Sequence, residues 1–206
     1  MSRTIMLTVL VIAGLAYVTE RGPHAEPQKP VKHRTLHIDG GPGTPSNLEG
    51  LWEASPLIVD ATIRHSRPAD RVLKGTSPEG FSLVQSAHEL VLNEVFRDIG
   101  GATTAGKRIE VRQIGGNRDR GTYVESVDDD TFPRLRKGER YVFFLRPSPD
   151  GDGTYVTATN TADSALLLAE DATVRPRGNS EVARHLQRYN REELLNLLRN
   201  MKEAQR

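Results

Sequence analysis

The chain has 206 residues, with 28 basic and 27 acidic side chains, a net formal charge of +1, no cysteine and 5% aromatic residues. Balanced charge provides no overall steering toward nucleic acid or anionic lipid. The absence of cysteine excludes disulfides, thiolate nucleophiles, iron–sulfur clusters and Cys-bearing zinc sites, and so few aromatics leave little for a base-stacking platform.

The length fits one domain with extensions, or two very small ones. Residues 1–25 read as a targeting segment. Arg3 is followed by a 14-residue, largely apolar run from Ile5 to Val18. This is short of the roughly 20 residues of a membrane-spanning helix and within the roughly 7–15 of a signal peptide. A signal peptide or signal anchor is therefore expected. Gly14-Leu15-Ala16 and Pro23-His24-Ala25 are the alternative cleavage regions, and a buried N-terminal helix is the competing reading. The product would be exported, whether periplasmic, secreted or membrane-anchored. Five prolines between residues 21 and 46 (Pro23, Pro27, Pro30, Pro42 and Pro45) mark 26–46 as a linker, with "TLHI" at 35–38 as a small edge strand.

In "PSNLEGLWEASP", Ser46 as N-cap and Glu49 as N3 residue predict a capping box. Leu48, Leu51 and Trp52 fall at helical spacing and Pro56 ends the helix. "LIVDATI" at 57–63 reads as a strand, and residues 64–80 as a polar excursion bearing proline and glycine. The β-branched and aromatic content of 81–99 favours a long, twisted or bulged strand over a helix. "KRIEVRQI" at 107–114 alternates, with Ile109, Val111, Gln113 and Gly115 on one face. "GTYVESV" at 121–127 returns antiparallel. "ERYVFFLRP" at 139–147 is apolar on both faces, which marks a central or enclosed strand. "TYVTATN" pairs with it across "PDGDG", and "ALLLAEDATVRP" adds one or two short strands. The sum is a mainly β chain, with a small antiparallel OB-like barrel over 47–176. The tail, 177–206, is expected as one long amphipathic helix. Asn179 or Ser180 would cap it, and Val182, Leu186, Tyr189, Leu194, Leu197 and Met201 would line its apolar face.

The chemical motifs are sparse. "IGGNRDRGTY" has neither spacing of a nucleotide-binding loop and runs into a strand rather than a helix. Gly115 and Gly116 are therefore expected at a surface turn, with Arg112, Arg118 and Arg120 as a basic rim interrupted by Glu110 and Asp119. Asp128, Asp129 and Asp130, and the Asp150–Asp152 pair, suggest calcium, but the first run is consecutive and the second lacks the twelfth-position glutamate. Both read as turns. His24, His33, His37, His65, His88 and His185 show no ligand spacing, and His88 is expected at a strand surface. Ser66 lies near His65 and Asp70, but closeness in a loop makes no triad. No catalytic, cofactor or metal residue is assigned.

The succession from "LEGLWEASPLIVDATI" to "DGTYVTAT" resembles uncharacterised exported bacterial proteins. Its most specific pieces are Arg112-Gln113-Ile114-Gly115-Gly116 and Gly138-Glu139-Arg140-Tyr141-Val142-Phe143-Phe144-Leu145. The resemblance covers about residues 47–170 and implies an OB-type barrel, distantly similar in shape to netrin and metalloprotease-inhibitor (TIMP-like) modules. Inhibitors of that shape place an N-terminal cysteine on the catalytic zinc, and this chain has none to place. The expected function is a non-catalytic binding or protein-interaction domain of the cell envelope, with another envelope or secreted protein as partner. Membrane attachment would run through the N-terminal segment and oligomerisation through the C-terminal helix. The alternatives are an OB-type nucleic-acid binder, and a hydrolase or metal-binding protein whose site assembles only in three dimensions.

Overall fold

The strand apolar on both faces has an apolar layer on each side of it. In the computed structural model, which describes residues 29–36, 45–73, 81–129, 134–159, 162–176 and 180–205, β7 (Arg140–Pro147) closes a five-stranded ring with β2 (Leu57–Leu73), β3 (Phe81–Asp98), β4 (Arg108–Ile114) and β8 (Tyr155–Thr157). β2, β3 and β4 form an antiparallel meander. β8 lies parallel to β4 and antiparallel to β7, and β7 closes antiparallel on β2. This is the expected OB-like barrel. β9 (Ala165–Leu168) and β10 (Val174–Pro176) extend the sheet beyond the first half of β7.

Alternation along the strands sorts their side chains into two cores. Val59, Ala61 and Ile63 of β2 meet Leu90, Leu92, Val111, Tyr141, Phe143 and Leu145 inside the barrel. Ile58, Phe96, Val142 and Phe144 point outward, where three helices cover them. Helix α1 (Leu48–Glu53) contributes Leu48, Leu51 and Trp52. Helices α2 (Glu181–Leu186) and α3 (Arg191–Ala204) contribute Val182, Leu186, Leu194, Leu195 and Leu198.

The expected bulges are present and consequential. The β2–β3 register skips Phe96 and Asn93 on β3 and Arg64 on β2. A skipped residue shifts the alternation, so Phe96 enters the outer core while Leu92 stays in the barrel.

Several elements depart from the sequence expectation. Asn47, not Ser46, caps α1, its side chain accepting from Gly50 N at 2.8 Å. The excursion at 64–80 is, through Leu73, a continuation of β2 paired with β3. Pro68 is tolerated there because β7 pairs β2 only through Thr62, leaving an open edge beyond. The C-terminal segment is two helices. Asn190 and Glu193 form a capping box that starts α3, and Arg191 N donates to Ala172 O at 2.7 Å, so the chain is pinned where one helix would have run through. Its apolar side packs on its own barrel. Residues 31–36, within the stretch read as linker, form β1 (Val31–Leu36). β1 pairs in parallel with β6 (Val124–Asp129), which pairs antiparallel with β5 (Gly116–Asp119). The predicted targeting segment 1–25, residues 37 and 38 of the predicted edge strand, His24 and Asp130 lie outside the described residues.

One buried carboxylate sits on the outer face of β2. The Asp60 side chain is 0% exposed. It accepts from Arg140 through both Nε and an Nη group, Nε at 2.8 Å, and from Asn93 at 3.0 Å. The hydrogen bond to Asp60 in turn raises the Arg140 pKa. Beside it Arg199 of α3 grips Glu94 of β3 through two bonds of 2.9 and 2.7 Å, and Lys202 donates to Val95 O at 2.7 Å.

Replacing Arg140 by alanine leaves Asp60 buried without its cation. Because the guanidinium is itself partly exposed, the expected loss lies at the low end for buried pairs, about 3 kcal/mol. Urea unfolding at pH 7 checks this, and a loss below about 0.5 kcal/mol would show that the pair is dispensable.

Candidate functional site

The polar residues singled out in the sequence are dispersed, with one exception. Past Ile63, β2 and β3 run on as an arm, and the inner face of the barrel continues along it as polar residues. Ser66 of β2 stands directly opposite His88 of β3, and Ser86 opposite Gln113 of β4. Ser66 Oγ lies 2.8 Å from His88 Nδ1. His88, expected at the surface, is 2% exposed. Its position in strand alternation, inward with Leu90, outweighs its polarity. Burial lowers its pKa to about 4, and the adjoining Gln113 side chain opposes the shift. At neutral pH the ring is uncharged.

A cavity of about 230 Å³ opens here, lined by Ser66, His88, Gln113, Gly115, Gly116 and Arg134, among others. The glycines have positive φ, +98° and +129°. They sit at a buried corner rather than at the expected surface turn, where the extended chain leaves β4 for β5; the reversal itself comes at 120–123, before β6. Ser86 Oγ donates to Gly115 O at 2.9 Å, and a Cβ on Gly116 would overlap Ser86 Oγ. The cavity places a hydroxyl against a neutral imidazole. A base with a pKa near 4 holds a proton poorly at neutral pH, and His88 Nε2 is buried with no hydrogen-bond partner among the described residues.

The basic rim is neutralised, mostly by partners distant in sequence. Arg112 pairs with Glu110 and Asp152, Arg118 and Arg120 both reach Asp70, and Arg120 also holds Glu125. Of the residues proposed to interrupt that rim, Glu110 also takes Arg67, while Asp119 binds Lys29 at 2.6 Å. Trp52, Phe96, Tyr141, Phe143 and Phe144 are interior, so they offer no stacking surface to a nucleic acid.

Of the two aspartate runs, Asp150–Asp152 forms a turn, while Asp128 and Asp129 end strand β6 rather than lying in a loop. Asp152 accepts from Thr154 N and Oγ1, and its pKa is lowered first by the Thr154 hydroxyl. Asp128 pairs with Arg134. His33 and His65 are exposed on separate strands, and His185 stacks edge-on against Tyr189. Among the described residues no three His, Asp or Glu side chains converge as metal ligands. A further cavity, about 750 Å³, is an open groove mixing Lys137, Arg175 and Arg191 with Glu170 and Asp171.

The remaining feature is the β1–β6–β5 sheet. Val31, Lys32, His33 and Thr35 of β1 are exposed, Val31 at 51%, while the neighbouring Glu125, Ser126 and Val127 of β6 are buried. The four exposed side chains of β1 add little burial to the backbone ladder, and two cations anchor the start of the segment. Lys29 reaches Asp119, and the Lys32 ammonium lies 4.1 Å from the centre of the Tyr123 ring. Sequence reasoning treated Lys29 and Lys32 as linker residues, and their charge next to an alternating segment was the available signal.

No known family model matches the chain, and no curated protein matches it in sequence.

Two outcomes follow from the corner. Because the folded His88 pKa lies below the free value of 6.5, the unfolded chain binds the extra proton between about pH 6.5 and 4. This contribution is fully present above pH 6.5 and is lost as pH falls toward 4, up to about 3 kcal/mol. Urea midpoints across that window should fall for the wild type and flatten for His88→Gln. Gly116→Ala, which combines a positive φ with a side-chain overlap, should cost about 1–3 kcal/mol by thermal or urea unfolding.

Proposed function

We propose that this chain is a non-catalytic binding domain that engages another protein at the cell envelope. The observation that carries this is β1 on β6, an extended segment accepted by strand addition with Val31, Lys32, His33 and Thr35 left exposed. Strand addition to an exposed sheet edge is a general mode of protein recognition, in which the main chain provides affinity and a few side chains provide selectivity. The other polar groups favour the same reading. His88 is buried and neutral, and the rim arginines are paired within the domain.

Export rests on the sequence of residues 1–25, a basic start before a short apolar run. No helix among the described residues is long and apolar enough to cross a membrane. The relationship to exported bacterial proteins with OB-type barrels, and the shape likeness to netrin and TIMP-like modules, belong to the same proposal. The closed five-stranded ring supports them, although a fold shared by many activities does not fix one.

Fractionation with N-terminal sequencing tests the location. The protein should appear in the envelope or secreted fraction, starting near residue 26, or in the membrane with its first residues retained. A full-length cytoplasmic product would overturn export. Site-specific photo-cross-linkers placed over the exposed surface should trap a protein partner, and silence at every position would sink the binding role.

A further inference from the structure

The edge that holds β1 is built for a particular kind of segment. Two cation receptors stand beside the start of β6, Asp119 at the end of β5 and Tyr123 on the connection between them. One carboxylate oxygen of Asp119 is fixed by the Gly121 amide at 2.8 Å and the other accepts Lys29 at 2.6 Å. The hydrogen bond from Lys29 is the first cause of the lowered Asp119 pKa, followed by that Gly121 amide. Four residues on, the Tyr123 ring takes Lys32.

Between the two lysines, the carbonyl of Pro30 accepts from Val124 N at 2.9 Å. Proline lacks an N–H, so this position asks the incoming chain for an acceptor only. From there the backbone pairs in parallel through six positions, Val31 with Val124 to Leu36 with Asp129.

Charge separates the two sides. Residues 29–36 carry Lys29, Lys32, His33 and Arg34 and no acid, while 119–129 carries Asp119, Glu125, Asp128 and Asp129. Glu125 and Asp128 are engaged by Arg120 and Arg134, while Asp119 and Tyr123 take the two lysines.

We propose that the 119–129 hairpin is a receptor for an extended basic segment of a partner protein, with two cationic residues three apart, and that residues 29–36 of this chain occupy it as a displaceable resident strand. The proposal rests on the protein-binding role given above and names its surface and the chemistry of the partner. The exposed side chains of Val31, Lys32, His33 and Thr35 favour exchange, since releasing these four uncovers little apolar surface. The resident strand also keeps a sheet edge covered until a partner arrives.

The test uses the full chain and a fluorescent peptide with the sequence of residues 29–36. A tethered strand competes at high effective concentration. Weakening it by Lys29→Glu with Lys32→Ala should therefore raise peptide affinity at least about ten-fold over the wild type. Adding Asp119→Lys and Tyr123→Ala should abolish that gain, and raising salt should weaken binding. A measurement free of these substitutions is the amide spectrum of the wild-type chain, in which excess peptide should shift Val124 to Asp129.

Equal affinity for wild type and weakened chain, or equal binding of a peptide whose two lysines are glutamates, would overturn the receptor. So would unshifted β6 amides. If the peptide fails while cross-linkers on other faces still trap a partner, the receptor falls and the binding role stands. Silence of cross-linkers on every face would remove the role itself.

Discussion

Every residue from Tyr141 to Leu145 is buried, so β7 must satisfy two cores at once. Tyr141, Phe143 and Leu145 fill the barrel, while Val142 and Phe144 meet the helices. A strand apolar on one face has its register set by that face, because a slip of one residue would expose the whole set. β7 has no such safeguard, since either face could enter either core. The pair formed by Asp60 and Arg140 supplies it. A buried carboxylate on the outer side of β2 meets its cation only when Arg140 also faces outward, and that facing sends Phe143 inward and Phe144 outward. The paired charges thus contribute registration more than net stability, and the two cores then follow from alternation.

The bulges of β3 serve the same division. With Phe96 skipped in the pairing, a large aromatic leaves the barrel and joins Trp52 and Leu198 outside. α3 is then fixed both by its apolar side and by Arg199 and Lys202 on β3. Its hydrophobic residues are consumed within the domain, and at the opposite end β2 and β3 project as an arm. There the inner face becomes polar, Ser66 to His88 to Gln113, and Gly115 diverts the chain into the second sheet. A nearly closed barrel thereby gains the edge that β1 occupies.

Polar chemistry follows from that placement. His88 is neutral because strand alternation sends it inward, and its serine partner shares its row for the same reason. The arginines around Gly115 and Gly116 are tied to Asp70, Glu110, Glu125 and Asp152. Asp119 and Tyr123, beyond that cluster, serve the chain's own lysines.

Local pattern alone determined the short helix around Trp52, the alternation of β4, the double-faced character of β7 and the length of β3, because each is written in spacing and composition within a few residues. It also determined the absence of thiol chemistry and the apolar run at residues 5–18. The continuation of β2 through Pro68 was hidden, since an edge strand tolerates a proline that a central one would not. The break before Asn190 was hidden too, because helical periodicity runs through residues 187–190 and a capping box wins there only with Arg191 tied to Ala172. The site was less legible still. His88 beside Glu89 reads as surface until the sheet fixes which way it points. Lys29 and Lys32 read as linker until β6 comes to lie beside them from about ninety residues away. Pairing between distant strands decides those partners, and no local spacing records it.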